Sequence, residues 1–139
     1  MKQVFTKHGS APGAAAAEAG YLRWLREGSE AVVEVLALDE DANTLTIEWV
    51  DSVRPTVDAA RRAGEELAAI HAMGAQAFGA PAAGWDGPNF IGRAQQDCLS
   101  TSRWAPFYTA QRVLPFAIKA HRRGNVSGEG LVAIKQACD

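Results

Sequence analysis

Two residues of opposite charge open the chemical reading. Lys7 ends the run Gln3-Val4-Phe5-Thr6-Lys7, which reads as a short strand broken by Gly9, Ser10, Pro12 and Gly13. A lysine at a strand end is commonly just solvated, because lysine is rarely buried without a partner. Glu18 changes that reading. Ala15, Glu18, Leu22 and Leu25 recur at i, i+3, i+7 and i+10, which sets the carboxylate on the apolar stripe of a helix over residues 14–27. An inward carboxylate needs a cation or donors, because burying it alone is costly. Lys7, on the preceding strand, is the candidate partner, and the expectation is contact within about 4 Å or through one water. The plainer alternative is a Glu18 at the stripe margin that meets only water. An ammonium held in place by a carboxylate is suited to holding a phosphate.

The other chemically capable residues read as structural. His8, His71 and His121 are too scattered for a metal site. His71 shares a helical face with Leu67 and Gly64 and reads as a packing residue. Gly84-Trp85-Asp86-Gly87-Pro88-Asn89 is a turn-rich loop that reads either as structural, with Trp85 as its anchor, or as one wall of a small-molecule site. Trp104, Phe107 and Tyr108 fall at helical spacing and read as core. Arg61-Arg62 and Arg122-Arg123 read as solvated helix faces. Cys98 and Cys138 lack metal-like spacing and do not suggest a disulfide scaffold, so a reducing cytoplasm is the default expectation.

These residues need elements to carry them. After the first strand and helix, Gly28 supplies a stop, and residues 31–38 form a β-branched and aliphatic run. Residues 39–43 read as a hairpin loop. Residues 44–50 alternate, with Leu45, Ile47 and Trp49 on one face. Thr56 caps a helix to Met73 with Ala60, Ala63, Leu67 and Ile70 as its stripe, and Gly74 ends it. Residues 75–100 read as a long ordered loop. A helix over residues 102–122 places Trp104, Tyr108, Gln111 and Ile118 near one face, with Pro115 kinking or splitting it. A last helical piece covers residues 128–138. The order is α+β, with a boundary near residues 51–55.

Composition excludes several classes of function. The chain has 139 residues, 47% of them hydrophobic and 22% charged, with a formal net charge of -2. Nucleic-acid binding normally shows as a basic excess, which is lacking. No apolar run approaches the length of a membrane span, and the amino terminus has no signal-peptide core. The expectation is no nucleic-acid and no membrane partner.

Several segments resemble the fructosamine (ketosamine) kinase family. Phe5-Thr6-Lys7 followed by Ala17-Glu18-Ala19-Gly20-Tyr21-Leu22 resembles that family's opening. Leu45-Thr46-Ile47-Glu48-Trp49-Val50 resembles its fifth strand and hinge, and Leu67-Ala68-Ala69-Ile70-His71 resembles a helix end. Phe78-Gly79 with Asn89-Phe90-Ile91-Gly92, and Trp104 with Phe107-Tyr108 and Arg112, resemble two further segments. Their order over about residues 4–115 carries the likeness.

The resemblance implies a kinase-like amino-terminal lobe over residues 1–52, a small antiparallel sheet plus one helix, and the first helices of a helical lobe over residues 53–139. It implies a strand lysine and helix glutamate that hold nucleotide phosphates, as in kinases. Lys7, Glu18, Glu48, Trp49 and Val50 would be the ATP-binding residues, and Asn89, Phe90, Ile91 and Gly92 would lie on the substrate side. ATP and Mg2+ would be the cofactors of the complete enzyme, and a glycated amine its substrate. The sequence departs from the pattern in two ways. It begins directly at the lysine strand, without the two strands and glycine-rich loop of most kinase folds. No histidine precedes Gly-Asp, so the catalytic aspartate and metal ligands are expected beyond Asp139, and the segment by itself is expected to be inactive. Two alternatives remain: a non-catalytic nucleotide- or protein-binding module, and a kinase of the aminoglycoside phosphotransferase type. A homodimer through exposed apolar helices is expected.

Overall fold

The computed structural model describes residues 3–138. Its first elements are β1 (Val4–His8), α1 (Ala14–Arg26), β2 (Val35–Asp39) and β3 (Thr44–Glu48). β3 lies between β1 and β2, antiparallel to both. Residues 40–43 close the β2–β3 hairpin. There Asn43 adopts φ 50°, a left-handed conformation that asparagine tolerates better than most residues.

The alternation expected in β3 sets the core. Leu45 is fully buried, and Ala15 and Ala19 of α1 close over it. Leu22, Val35, Leu38 and Ile47 pack around this cluster. Ala14, Ala16 and Ala17 are buried as well, so the first half of α1 meets its surroundings through small side chains.

β2 is shorter than the apolar run suggested. Residues 31–33 lie outside the ladder, where local side chains compete for the backbone, while the Glu34 carbonyl still accepts from Glu48 N at 3.0 Å. Ser29 Oγ accepts from Ala31 N at 3.0 Å, and Arg26 Nη1 donates to the carbonyls of Glu30 and Val32. The register shifts between Val35 and Ala37, leaving Leu36 as an extra residue that is 40% exposed.

α2 (Val57–Met73) begins where Thr56 predicts, with Thr56 Oγ1 accepting from Ala59 N at 3.1 Å. Ser29 Oγ donates to Glu66 Oε2 at 2.5 Å. Its expected stripe is not covered by the described residues: α2 has no buried residue, Leu67 is half exposed, and His71 is exposed rather than packed. The loop expected over residues 75–100 contains a hairpin, β4 (Asn89–Ile91) and β5 (Ala94–Gln96), and an isolated bridge between Phe78 and Thr101.

The helix expected over residues 102–122 is divided. α3 (Trp104–Phe107) runs into a π-helical segment, Tyr108–Val113, and then α4 (Leu114–Arg122), with α5 (Gly128–Gln136) last. Pro115 sits in the first turn of α4 and has no N–H to offer the Gln111 carbonyl, which instead accepts from Arg112 Nη1 at 3.1 Å. The wider π turns rotate the register, so the expected common face is lost. Gln111 is buried and clamps Leu99 N and O at 2.9 and 2.6 Å, while Trp104 and Tyr108 are half exposed and stack on each other at 4.8 Å. They are a surface pair rather than core.

Two compact units result. One holds the residues up to Ala75 together with Ala82–Gln95, and the other holds Gln76–Pro81 and the residues from Gln96 on. The first takes in α2 together with the sheet and α1.

Among the described residues Leu45 is the largest fully buried side chain. Leu45→Ala is expected to cost about 2–5 kcal/mol, seen as a lower urea midpoint with an unchanged slope.

Candidate functional site

The first unit contains a pocket of 310 Å³. Its walls come from the end of β1, the loop after it, the first two turns of α1, and the β4–β5 turn. Lys7 pairs across the ladder with Leu45, so its side chain stands on the sheet face that α1 covers. One helical turn beyond Ala15, Glu18 points to the same place. Lys7 Nζ donates to Glu18 Oε1 at 2.8 Å, and the two side chains remain 35% and 39% exposed. The direct contact expected from the sequence is therefore present. An ammonium carries three donors, and the bond to Glu18 uses one.

The far wall is positioned by Trp85. A Cβ on Gly20 would approach Trp85 Cβ to 3.2 Å, so the bare glycine lets the indole lie directly against α1. Trp85 Nε1 donates to the Pro88 carbonyl at 3.1 Å, which fixes the turn that leads into β4. The anchor reading of Trp85 holds. Asn89, Phe90 and Gly92 thereby reach the pocket that Lys7 and Glu18 line. Ser10 Oγ donates to the Gly92 carbonyl and closes the rim.

Four other sequence candidates lie elsewhere. Ile91 is 60% exposed and does not line the pocket. Glu48, Trp49 and Val50 do not line it either. β3 carries Glu48 three residues beyond the Leu45 that faces Lys7, about 10 Å along the strand. The Glu48 carboxylate accepts from Glu34 N at 2.9 Å and lies 3.7 Å from Arg26 Nη1, and Trp49 Nε1 donates to Asp51 Oδ1 at 2.9 Å.

His8, Ser10 and Tyr21 also line the pocket and were not read as site residues. Tyr21 had a signal, since it follows Glu18 by three on the same helical face. Ser10 had none, because the path of a glycine-containing loop is not periodic, and His8, at the end of β1, alternates with Lys7 along the strand and so was not expected beside it. Among the described residues no grouping of three or more His, Cys, Asp and Glu side chains suits a metal ion, and no helix is long and apolar enough to cross a membrane.

A small antiparallel sheet, a glutamate-bearing helix against its lysine strand, and helices following define a kinase-like α+β fold. The structure matches the crystal structure of a protein assigned as a fructosamine-3-kinase in Thermobifida fusca YX-ER1. The TM-score is 0.85 at 36% identity, covering 99% of this chain and 48% of that one. Residues 2–138 match the fructosamine kinase family model, and the chain belongs to the fructosamine kinase family. A Synechocystis protein named a probable ketoamine kinase is 34% identical over 92 residues, which is 66% of this chain and 30% of that protein. The chain thus spans less than half the length of these relatives.

Because the pair is partly exposed, it adds little to stability. Glu18→Gln is expected to change unfolding free energy by less than about 1 kcal/mol, measured by urea denaturation. A larger loss would make the pair a structural feature first.

Proposed function

We propose that this chain is the amino-terminal portion of an ATP-dependent phosphotransferase that phosphorylates the sugar of glycated amines. The observation that carries this reading is the 2.8 Å contact between Lys7 and Glu18 in a pocket shared with Asn89, Phe90 and Gly92. Lys7 holds nucleotide phosphates, and Glu18 keeps the ammonium from swinging into solvent. The backbone near Glu48, Trp49 and Val50 meets the adenine, at a separation along β3 that a nucleotide can span. Asn89, Phe90, Ile91 and Gly92 lie toward the acceptor sugar.

Phosphoryl transfer asks the protein mainly for positioning and charge stabilisation. The residues described supply the first. In this reading the general base and the Mg2+ ligands lie beyond Asp139, so no step is assigned to magnesium here. The same reading divides the chain into an amino-terminal lobe of residues 1–52 and a helical lobe from residue 53, and places the protein in the cytoplasm.

Residues 1–139 alone are expected to show no ATP-dependent phosphorylation of fructoselysine. A version extended past Asp139 through the expected catalytic aspartate is expected to be active, and Lys7→Met in it to lower the rate about a hundredfold or more. Turnover by the short chain that Lys7→Met abolishes would put the chemistry elsewhere. Retained activity in extended Lys7→Met would remove Lys7 from the site.

Association belongs to the same proposal. Leu67, Trp104 and Tyr108 are about half exposed, and apolar surface of this kind tends to be covered by association. Light scattering of residues 1–139 is expected to give a dimer. A monomeric mass across a wide concentration range overturns that part.

A further inference from the structure

α1 has no cap of its own. Its N-cap is Gly13, which carries no side chain, so the first-turn N–H groups must find acceptors elsewhere. The loop that precedes it, residues 9–13, contains two glycines and is a poor spacer. The alanines that seat α1 on Leu45 are small and smooth. The loop bonds to the first turn of α1 through Ala14 N, which donates to the Ala11 carbonyl at 3.0 Å, and the alanine seat adds little that defines where α1 stands along its axis, yet Lys7 lies on one side of the loop and Glu18 on the other.

Asn43, 25 residues beyond Glu18, supplies the missing constraint. Its Oδ1 accepts from Ala15 N at 3.1 Å, which caps α1 from outside. Its Nδ2 donates to the Ala11 carbonyl at 2.8 Å and to the Gly9 carbonyl at 3.3 Å. Its own carbonyl accepts from Gly9 N at 2.8 Å. One side chain therefore ties together the end of β1, the loop and the first turn of α1, from a base fixed in the β2–β3 hairpin. Gly9 makes room for it: a Cβ there would lie 2.5 Å from Asn43 Oδ1 and 2.6 Å from Nδ2. The amide is wedged where only glycine leaves space.

We infer that Asn43 is the positioning residue of the Lys7–Glu18 pair, setting the height of α1 over β1 so that carboxylate and ammonium meet. The inference rests on reading that pair as the phosphate-holding group of the site. Asn43 does not itself line the pocket, though it bonds to Gly9, which does; it acts through α1 and the loop.

Asn43→Gly separates this role from that of a turn residue. Glycine accepts φ 50° readily, so the hairpin survives while the clamp is lost. Lys7 acylation by acetic anhydride, followed by mass spectrometry in the full-length protein, reads the pairing without any substrate. Asn43→Gly is expected to raise Lys7 reactivity several-fold, as Glu18→Gln does, and the double variant to add nothing further. ATP affinity, by calorimetry, is expected to fall by the same factor in all three. Asn43→Asp, which tolerates the same backbone conformation and keeps an acceptor for Ala15 N but cannot donate to the Gly9 and Ala11 carbonyls, is expected to raise Lys7 reactivity too and decides the matter should Asn43→Gly not fold. Native-like Lys7 reactivity in folded Asn43→Gly or Asn43→Asp overturns the inference. If reactivity rises but native protein binds no ATP, the positioning role stands and the proposed nucleotide site falls.

Discussion

The close seating of α1 on the sheet is the constraint from which the site follows. Ala15 and Ala19 lie over Leu45, and Ala14, Ala16 and Ala17 are buried beside them. Larger residues at these positions would hold the helix away from the strands, and a carboxylate of fixed length would no longer reach Lys7. The alanines favour the helix intrinsically and cost little side-chain entropy. They give up specificity in return, since a smooth surface does not define position along the helix axis. The hydrogen bonds that Asn43 makes to Ala15, Ala11 and Gly9 compensate for that.

Energetically the site and the core are nearly separate. Leu45 and its neighbours carry the burial that stabilises the unit, while the Lys7–Glu18 pair stays more than a third exposed and is worth little to folding. A weakly stabilising ion pair on a well-held framework suits a binding role. The ammonium keeps its charge and its remaining donors close to water, yet the carboxylate restricts where it points.

The second unit shows how local chemistry overrides a periodic pattern. Aromatic residues at helical spacing suggested one continuous face, but Pro115 withholds a backbone donor and the preceding turns widen into a π segment. The buried amide of Gln111 then clamps the Leu99 backbone, and Trp104 and Tyr108 stack at the surface. On α2 the pattern was followed but not covered: Leu67 and His71 lie on a helix without a buried residue among those described.

The sequence by itself determined the elements that rest on short-range physics. Alternation in residues 44–50, the Thr56 cap, the glycine stops and the stripe through Ala15 and Glu18 each act over a few residues, and they located the first three strands, α1, α2 and the Lys7–Glu18 pair, while β4 and β5 were read as loop. The motif order also determined the family. What only the tertiary structure decided depends on contacts far apart in sequence. Residues 31–33 left the ladder where Ser29 took the Ala31 N–H and Arg26 the Val32 carbonyl. Asn89, Phe90 and Gly92 joined the pocket because Trp85 rests on the bare backbone of Gly20. Asn43 became the external cap of α1 because chain folding brought a hairpin turn beside it. A side chain that bonds across dozens of residues leaves no period to read, and its partner is defined only when the strands have paired.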